Sequence, residues 1–266
     1  MTRETASDLT GRGALVTGAS AGIGLAAARA LAHRGARVVI ASRGGAKLAA
    51  AQRALADEGF AVAAIAADLR QGEEIERLVE EAESRLGRID ILIANNGGPV
   101  AKPAVELVEE DWLAAIPAVL LFVPRLVRLV LPGMRARHWG RIVAVNSVSA
   151  RQPIPNLALS NTLRPAVLGY LKTLSQEVGG EGVTVNAVLP GYTATERQTE
   201  LAAATAARTG RHPDEVRAGW TANVPLGRLA EPQEIGEAIA FLASPAASYL
   251  TGQALAVDGG YIRGLP

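Results

Sequence analysis

The sequence predicts one α/β domain, a doubly wound, mostly parallel seven-stranded sheet with helices on both faces. Three observations carry this. Short β-branched runs alternate with Ala-rich amphipathic segments along nearly all 266 residues. Most of those runs are apolar at consecutive positions, as strands covered on both faces should be. The first run leads through a loop of spaced glycines directly into a helical pattern.

Strands are predicted at 13–17 (GALVT), 37–41 (RVVIA), 61–66 (AVAAIA), 90–94 (DILIA), 141–146 (RIVAVN), 183–189 (VTVNAVL) and 254–257 (ALAV). Helices fill the gaps near 22–34, 45–57, 73–86, 109–136, 156–179 and 232–243. The last starts well, because Pro232 follows Glu231 and Pro suits a first helical turn. Pro117 and Pro124 fall inside 109–136. An interior Pro removes a backbone donor and costs roughly 3 kcal/mol unless the helix bends. A kink near Pro117, or a later helix start, is therefore expected. The stretch 192–228 stands outside the rhythm and reads as a lid. No linker and no solenoid repeat divides residues 1–266, so a single domain is expected.

Composition narrows the function classes. Hydrophobic residues make up 49% and charged residues 20%, which supports a substantial core and argues against disorder. Lys plus Arg number 27 against 26 Asp plus Glu, and the net charge of +1 gives no electrostatic reason for a nucleic-acid or acidic-membrane partner. The absence of cysteine excludes disulfides, thiolate metal sites and cysteine nucleophiles. His33, His138 and His212 are scattered without metal-ligand spacing, so no metal is expected. Residues 1–13 are polar and lack the apolar core of a signal peptide. Arg125 and Arg128 interrupt the longest apolar run, 113–134, before it reaches membrane-spanning length. The expectation is a soluble, cytoplasmic protein that acts on a small molecule.

The stretch ALVTGASAGIGLAAARAL is the most informative. Gly18 permits the tight turn after the strand, Gly22 lets a pyrophosphate approach the backbone, and Gly24 lets the helix pack on the sheet. The helix N-terminus offers unpaired N–H groups and positive dipole density to phosphates. After the second strand an NAD site usually places an acid for the ribose 2′-OH, but here Ser42 and Arg43 follow. An arginine pairs with a 2′-phosphate, so NADP(H) is favoured over NAD(H); the bland alternative is a solvated loop arginine.

These residues resemble a known family. TGASAGIG is similar to the cofactor loop of the short-chain dehydrogenase/reductases. NNGG at 95–98 resembles their Asn-Asn-Ala-Gly signature with Gly97 in place of Ala, PGYTAT at 190–195 their Pro-Gly turn, and LTGQALAVDGG at 250–260 their C-terminal signature. The match runs from about residue 9 to 261 and is nearest the β-ketoacyl-carrier-protein reductase-like subgroup. The resemblance implies a Rossmann-type sheet of order 3-2-1-4-5-6-7 and a homo-oligomer, a tetramer joined through the two long helices and the C-terminal region. It implies cofactor contacts from Thr17, Gly18, Ser20, Gly22, Ile23 and Gly24 in the loop, and from Asp68 and Leu69 at the adenine. Asp68 could equally cap the helix beginning near Gly72. Asn95 and Gly97 would border the adenosine ribose. Pro190, Gly191, Thr193 and Thr195 would meet the nicotinamide and phosphate region.

The same resemblance exposes a gap. Such reductases use an Asn, a Ser, a Tyr and a Lys. Local spacing places these at Val119, Ser147, Ser160 and Arg164, so one of the four is present. A phenol of reference pKa about 10, lowered by a neighbouring ammonium, can protonate a developing alkoxide near neutral pH. A serine hydroxyl is a far weaker acid and is shorter by a ring. Arg164 keeps a positive charge that could still hold the nicotinamide ribose, but it cannot lend a proton. Tyr192 is a substitute donor, or else an apolar lid residue. Tyr170, six residues past Arg164, should face elsewhere. Ser149, Arg151 and Gln152 line the substrate pocket or lie on loop surface. Of the lid arginines, Arg197, Arg208, Arg211, Arg217 and Arg228, each either binds an acidic substrate or solvates the cover.

Three readings follow: a reductase whose proton comes from elsewhere, a non-redox enzyme such as a dehydratase, cyclase or isomerase, or a nucleotide-binding scaffold. Ser147, Ser160, Arg164 and Tyr192 are the catalytic candidates.

Overall fold

A computed structural model describes residues 8–265; the first seven residues of the polar N-terminal stretch lie outside the described residues. The chain runs β1 (Gly13–Thr17), α1 (Gly22–His33), β2 (Arg37–Ser42), α2 (Ala46–Asp57), β3 (Val62–Ala66), α3 (Gly72–Leu86) and β4 (Ile91–Ala94). It continues through α4 (Glu109–Ala115), α5 (Phe122–Ala136), β5 (Gly140–Val145), α6 (Ala158–Val178) and β6 (Val183–Pro190). It ends with α7 (Glu196–Thr209), α8 (Pro213–Thr221), α9 (Pro232–Ala243) and β7 (Ala254–Val257).

The seven strands pair in the order β3-β2-β1-β4-β5-β6-β7, all parallel, as expected. Every residue of β1, β4, β5 and β6 is buried. The reason is visible in β1. Leu15 packs into the layer built from α3, α5 and α6, whereas Ala14 and Val16 pack against α1 and α9. Both faces are covered, so both alternating sets must be apolar. The α1–α9 crossing is close because a β-carbon on Gly236 would lie 2.8 Å from the Ala26 carbonyl, and α1 presents alanines there.

The irregularity expected at Pro117 takes a specific form. Ile116–Leu121 is a π-helical segment between α4 and α5, which shifts the hydrogen-bond register where the proline lacks its donor. Pro124 is the third residue of α5, just past that segment in a helix that runs on continuously from α4. Pro132 and Pro165 also lie inside helices, α5 and α6.

One expectation needs correction. By length and composition alone the continuous stretch Glu109–Ala136 is apolar enough to cross a membrane, with a mean hydropathy of 2.0 over its best window. Two arginines are too few to lower that average. In this fold Phe122, Val123, Leu126, Val127, Val130 and Met134 bury against the sheet layer. Arg125 donates to the Arg70 carbonyl at 3.0 Å, and Arg128 pairs with Glu76 at 2.8 Å.

The winding reverses between β1 and β4, whose C-terminal ends therefore open onto a crevice. Segment 192–228, which carries α7 and α8, overhangs it.

Candidate active site

The crevice holds a cleft of about 710 Å³. Its floor starts at the glycine loop. Gly18 has φ +58°, and a β-carbon there would sit 2.8 Å from Asn95; one on Gly24 would sit 2.3 Å from the Gly18 carbonyl oxygen. These contacts clamp β1, β4 and α1 together. Gly22 has φ +55° and faces Thr195, whose Cγ2 lies 3.1 Å from where a β-carbon would be. The first turn of α1 carries no acidic residue and no side-chain cap, so its N–H groups are left for an anion.

Of the residues singled out as cofactor contacts, Ser20, Gly22, Ile23, Arg43, Leu69, Asn95, Gly97, Pro190, Gly191, Thr193 and Thr195 line the cleft with Gly18. Three expected contacts do not. Thr17 is fully buried, and its hydroxyl donates to the Asn95 carbonyl at 2.7 Å while accepting the Asn95 N–H at 2.9 Å. Gly24 supports the loop from behind, against Gly18. Asp68 turns its carboxylate to the Arg70 N–H and guanidinium, which hold its pKa below the usual carboxylate range. Nor does Asp68 cap α3, because the N-cap is Gln71.

At the adenosine end Arg43 is exposed beside Ser42 and Gly44. Lys47 adds a second cation there and pairs with Glu196 at 2.6 Å, tying α2 to α7 across the mouth. Sequence reasoning missed Lys47; its only signal was its position four residues after Arg43, in the first turn of α2.

At the other end lie Ser147, Ser160 and Arg164. Ser147 follows β5, and its Oγ accepts the Ser149 N–H at 3.1 Å. Ser160 and Arg164 are one turn apart on α6 and share a face. Ser160 is 6% exposed. Burial, then the charge of Arg197, push the Arg164 pKa down to about 10, which leaves it cationic at neutral pH. Val119, in the π segment, is buried beside a small void shared with Asn96, Asn146 and Arg164.

The remaining candidates fall out differently. Tyr192 stacks on Trp220 with ring centroids 5.3 Å apart and meets Tyr261 edge-on at 5.2 Å. Burial, then the hydrogen bond with Tyr261, push its phenol well above the usual range, making it a poorer acid. Its ring nonetheless lines the cleft. Tyr170, on α6, is partly buried against the core rather than in the cleft. Ser149 is buried with its Oγ unpartnered, Arg151 is exposed, and Gln152 accepts the Arg263 N–H at 3.1 Å. Ile154 and Leu157 line the cleft in their stead. Among the lid arginines only Arg197 reaches the cleft; Arg211, Arg217 and Arg228 pair with Glu215, Asp214 and Glu234, and Arg208 is exposed.

The residues present therefore fit a dinucleotide: a glycine cradle, an uncapped helix start, and cations at the ribose end.

A family model described as enoyl-(acyl carrier protein) reductase matches residues 18–262. The chain is 37% identical over 253 residues to a 3-oxoacyl-acyl-carrier-protein reductase of Vibrio cholerae, covering 95% of this chain and 98% of that one. It is 38% identical over 255 residues to a cis-4-hydroxycyclohexanecarboxylate dehydrogenase of Sinomonas cyclohexanicum, covering 94% and 96%. The crystal structure of L-sorbose reductase from Gluconobacter frateurii, complexed with NADPH and L-sorbose, superposes with a TM-score of 0.92 at 32% identity. That superposition covers 98% of this chain and all of the other.

Proposed function

This chain belongs to the short-chain dehydrogenase/reductase family, and from that premise we propose that it is an NADP(H)-dependent oxidoreductase of a carbonyl or hydroxyl substrate whose proton does not come from a tyrosine. The observation that carries this reading is one continuous cleft. It joins the glycine loop and Arg43 to Ser147 and a cationic Arg164. Relatives that reduce ketoacyl groups, and one complexed with NADPH, support it.

Bound in the glycine cradle, the dinucleotide would supply a hydride to the substrate carbon, or accept one from it. The chain's own residues then have separate tasks. Ser147 donates a hydrogen bond to the substrate oxygen. Arg164 places a fixed positive charge near that oxygen and stabilises the alkoxide as it forms. Ser160 is too weak an acid to complete the proton transfer, so a water beside it delivers the proton to oxygen. Arg43 and Lys47 supply the charge that a 2′-phosphate requires.

Single-turnover NADPH oxidation with a panel of ketones tests the reading. Consumption of NADPH with formation of the matching alcohol is expected, slowly for ordinary ketones. Product formation without NADPH consumption would replace it with a non-redox reaction. Arg43→Ala should narrow the preference for NADP(H) over NAD(H), because the 2′-phosphate loses a charge-assisted partner worth about 1.5–3 kcal/mol. Equal affinities of the wild type for both dinucleotides in titration calorimetry would remove the basis for the preference.

The tetramer implied by the family resemblance is proposed on the same footing. Phe241 of α9, Leu250 and Leu255 at the β7 edge are apolar and exposed on a single chain.

A further inference from the structure

Arg164 is a cation without an acid. No salt bridge forms on it among the described residues, and its guanidinium lines the cleft and the small void beside Gly97. Arg197 lines the same cleft, its guanidinium 3.3 Å from where a β-carbon on Gly98 would lie, and its charge adds to burial in lowering the Arg164 pKa. Arg197 reaches the cleft from α7, donates to the Pro99 carbonyl at 2.5 Å, and has only Glu200 at 3.7 Å as a loose counter-ion. The other acid on this wall, Glu196, is taken by Lys47. Two partly buried guanidiniums, one without a carboxylate partner and the other held only loosely by Glu200, are costly unless something negative enters between them.

Ser160 makes the room. A large side chain at that position, one turn before Arg164 on the same helix face, would stand between the guanidinium and the substrate end of the cleft. Serine leaves the fork open, and Ile154 and Leu157 supply an apolar wall beside it. A planar carboxylate matches a guanidinium with two parallel hydrogen bonds. We infer that Arg164 and Arg197 form a carboxylate clamp, so that the substrate is a carbonyl or hydroxyl compound bearing a free carboxylate. This deepens the proposed oxidoreductase reading and rests on it for the reaction, though not for the binding.

A second anion offers the same chemistry, the cofactor's own diphosphate, and the test separates the two. Acetoacetate and levulinate are compared with their methyl esters, which keep the ketone and remove the charge. Binding is followed by titration calorimetry on the wild type saturated with NADP⁺, so that the diphosphate is already in place. The acids should bind at least about tenfold more tightly than the esters. Arg197→Gln should erase that preference while ester binding stays unchanged; Arg164→Met should erase it too, and Arg164→Lys should restore it in part. NADP⁺ affinity is measured separately for each variant. Equal binding of acid and ester, no binding of either acid, or variants that lose NADP⁺ affinity but keep the acid preference would each overturn the clamp. NADPH consumption decides the oxidoreductase reading independently. Turnover of esters as well as acids would leave that reading standing and the clamp refuted.

Discussion

The side-chain amide of Asn146 donates to the backbone carbonyl of Arg164 at 3.0 Å. Asn146 directly follows β5, and its own N–H donates to the Val188 carbonyl at 2.8 Å. One residue thus joins β5 and β6 to the stretch of α6 that carries Ser160 and Arg164. Pro165 follows immediately in that helix and lacks a donor, which leaves the Asn161 carbonyl one turn back without its intrahelical partner. Ser147, the next residue, inherits its position from the same anchor.

Asn146→Ala should therefore loosen both altered positions at once. The loss of one buried hydrogen bond predicts a stability decrease of about 1 kcal/mol. Denaturant unfolding measures it. The carboxylate preference should shrink along with it, since the Arg164 fork loses its fixed origin. Wild-type stability in Asn146→Ala would mean that α6 holds its course without the tie.

Gly22→Val should abolish dinucleotide binding. The backbone at φ +55° disfavours a β-branched residue, and the added side chain would press on Thr195 where the pyrophosphate must pass. The left-handed backbone at this position also strains the fold of the variant. A stability loss of about 1–2 kcal/mol is expected as well. Fluorescence titration with NADPH on the folded variant is the measurement. Undiminished binding would place the pyrophosphate away from the loop.

Most of the fold was legible because its signals are local. Seven strand runs, most of them apolar at consecutive positions, announced a sheet covered on both faces, and 13–17 and 254–257 were placed to the residue. Pro117 marked an irregularity, though a missing donor alone does not say whether a helix kinks, starts late or takes a π turn. The site was legible where backbone geometry makes it. Gly18 and Gly22 are glycines because the loop has φ above zero there. What escaped was long-range pairing. Thr17 looked like a ligand contact, but its hydroxyl meets Asn95, 78 positions away. Arg197 was one of five similar lid arginines, and only the packing of α7 over Pro99 distinguishes it.

Tyr192→Phe should leave turnover nearly intact, since the phenol is stacked, buried and a weak acid. The alkaline limb carries the sharper prediction. The folded-state pKa is raised above that of the unfolded chain, about 10. Above that pH the unfolded state ionises while the folded state holds its proton, so stability falls as pH rises. Below it the effect is absent. Tyr192→Phe should flatten the decline in denaturant midpoint above pH about 10. A variant that loses turnover at neutral pH would instead return the proton donor to this side of the cleft.

The double change Ser160→Tyr, Arg164→Lys tests both the missing acid and the clamp. It restores a phenol with an ammonium one turn away, able to protonate an alkoxide near neutral pH. Turnover of uncharged ketones should rise, and general-acid catalysis sets its scale at about 10²–10⁴-fold. Recovery should fall short of that range, because Val119 remains buried where an asparagine would organise water. Neither single change should suffice: a tyrosine without the ammonium keeps too high a pKa, and a lysine alone has no phenol to tune. The same tyrosine fills the space before residue 164, and the lysine lacks the planar fork, so the preference for acids over esters should disappear as ester turnover appears. Stopped-flow NADPH oxidation with matched acid and ester substrates reads both effects in one experiment. Vigorous turnover by the wild type, lost on Ser160→Ala, would show that the serine is already a working catalyst and that the gap in the catalytic set is only apparent.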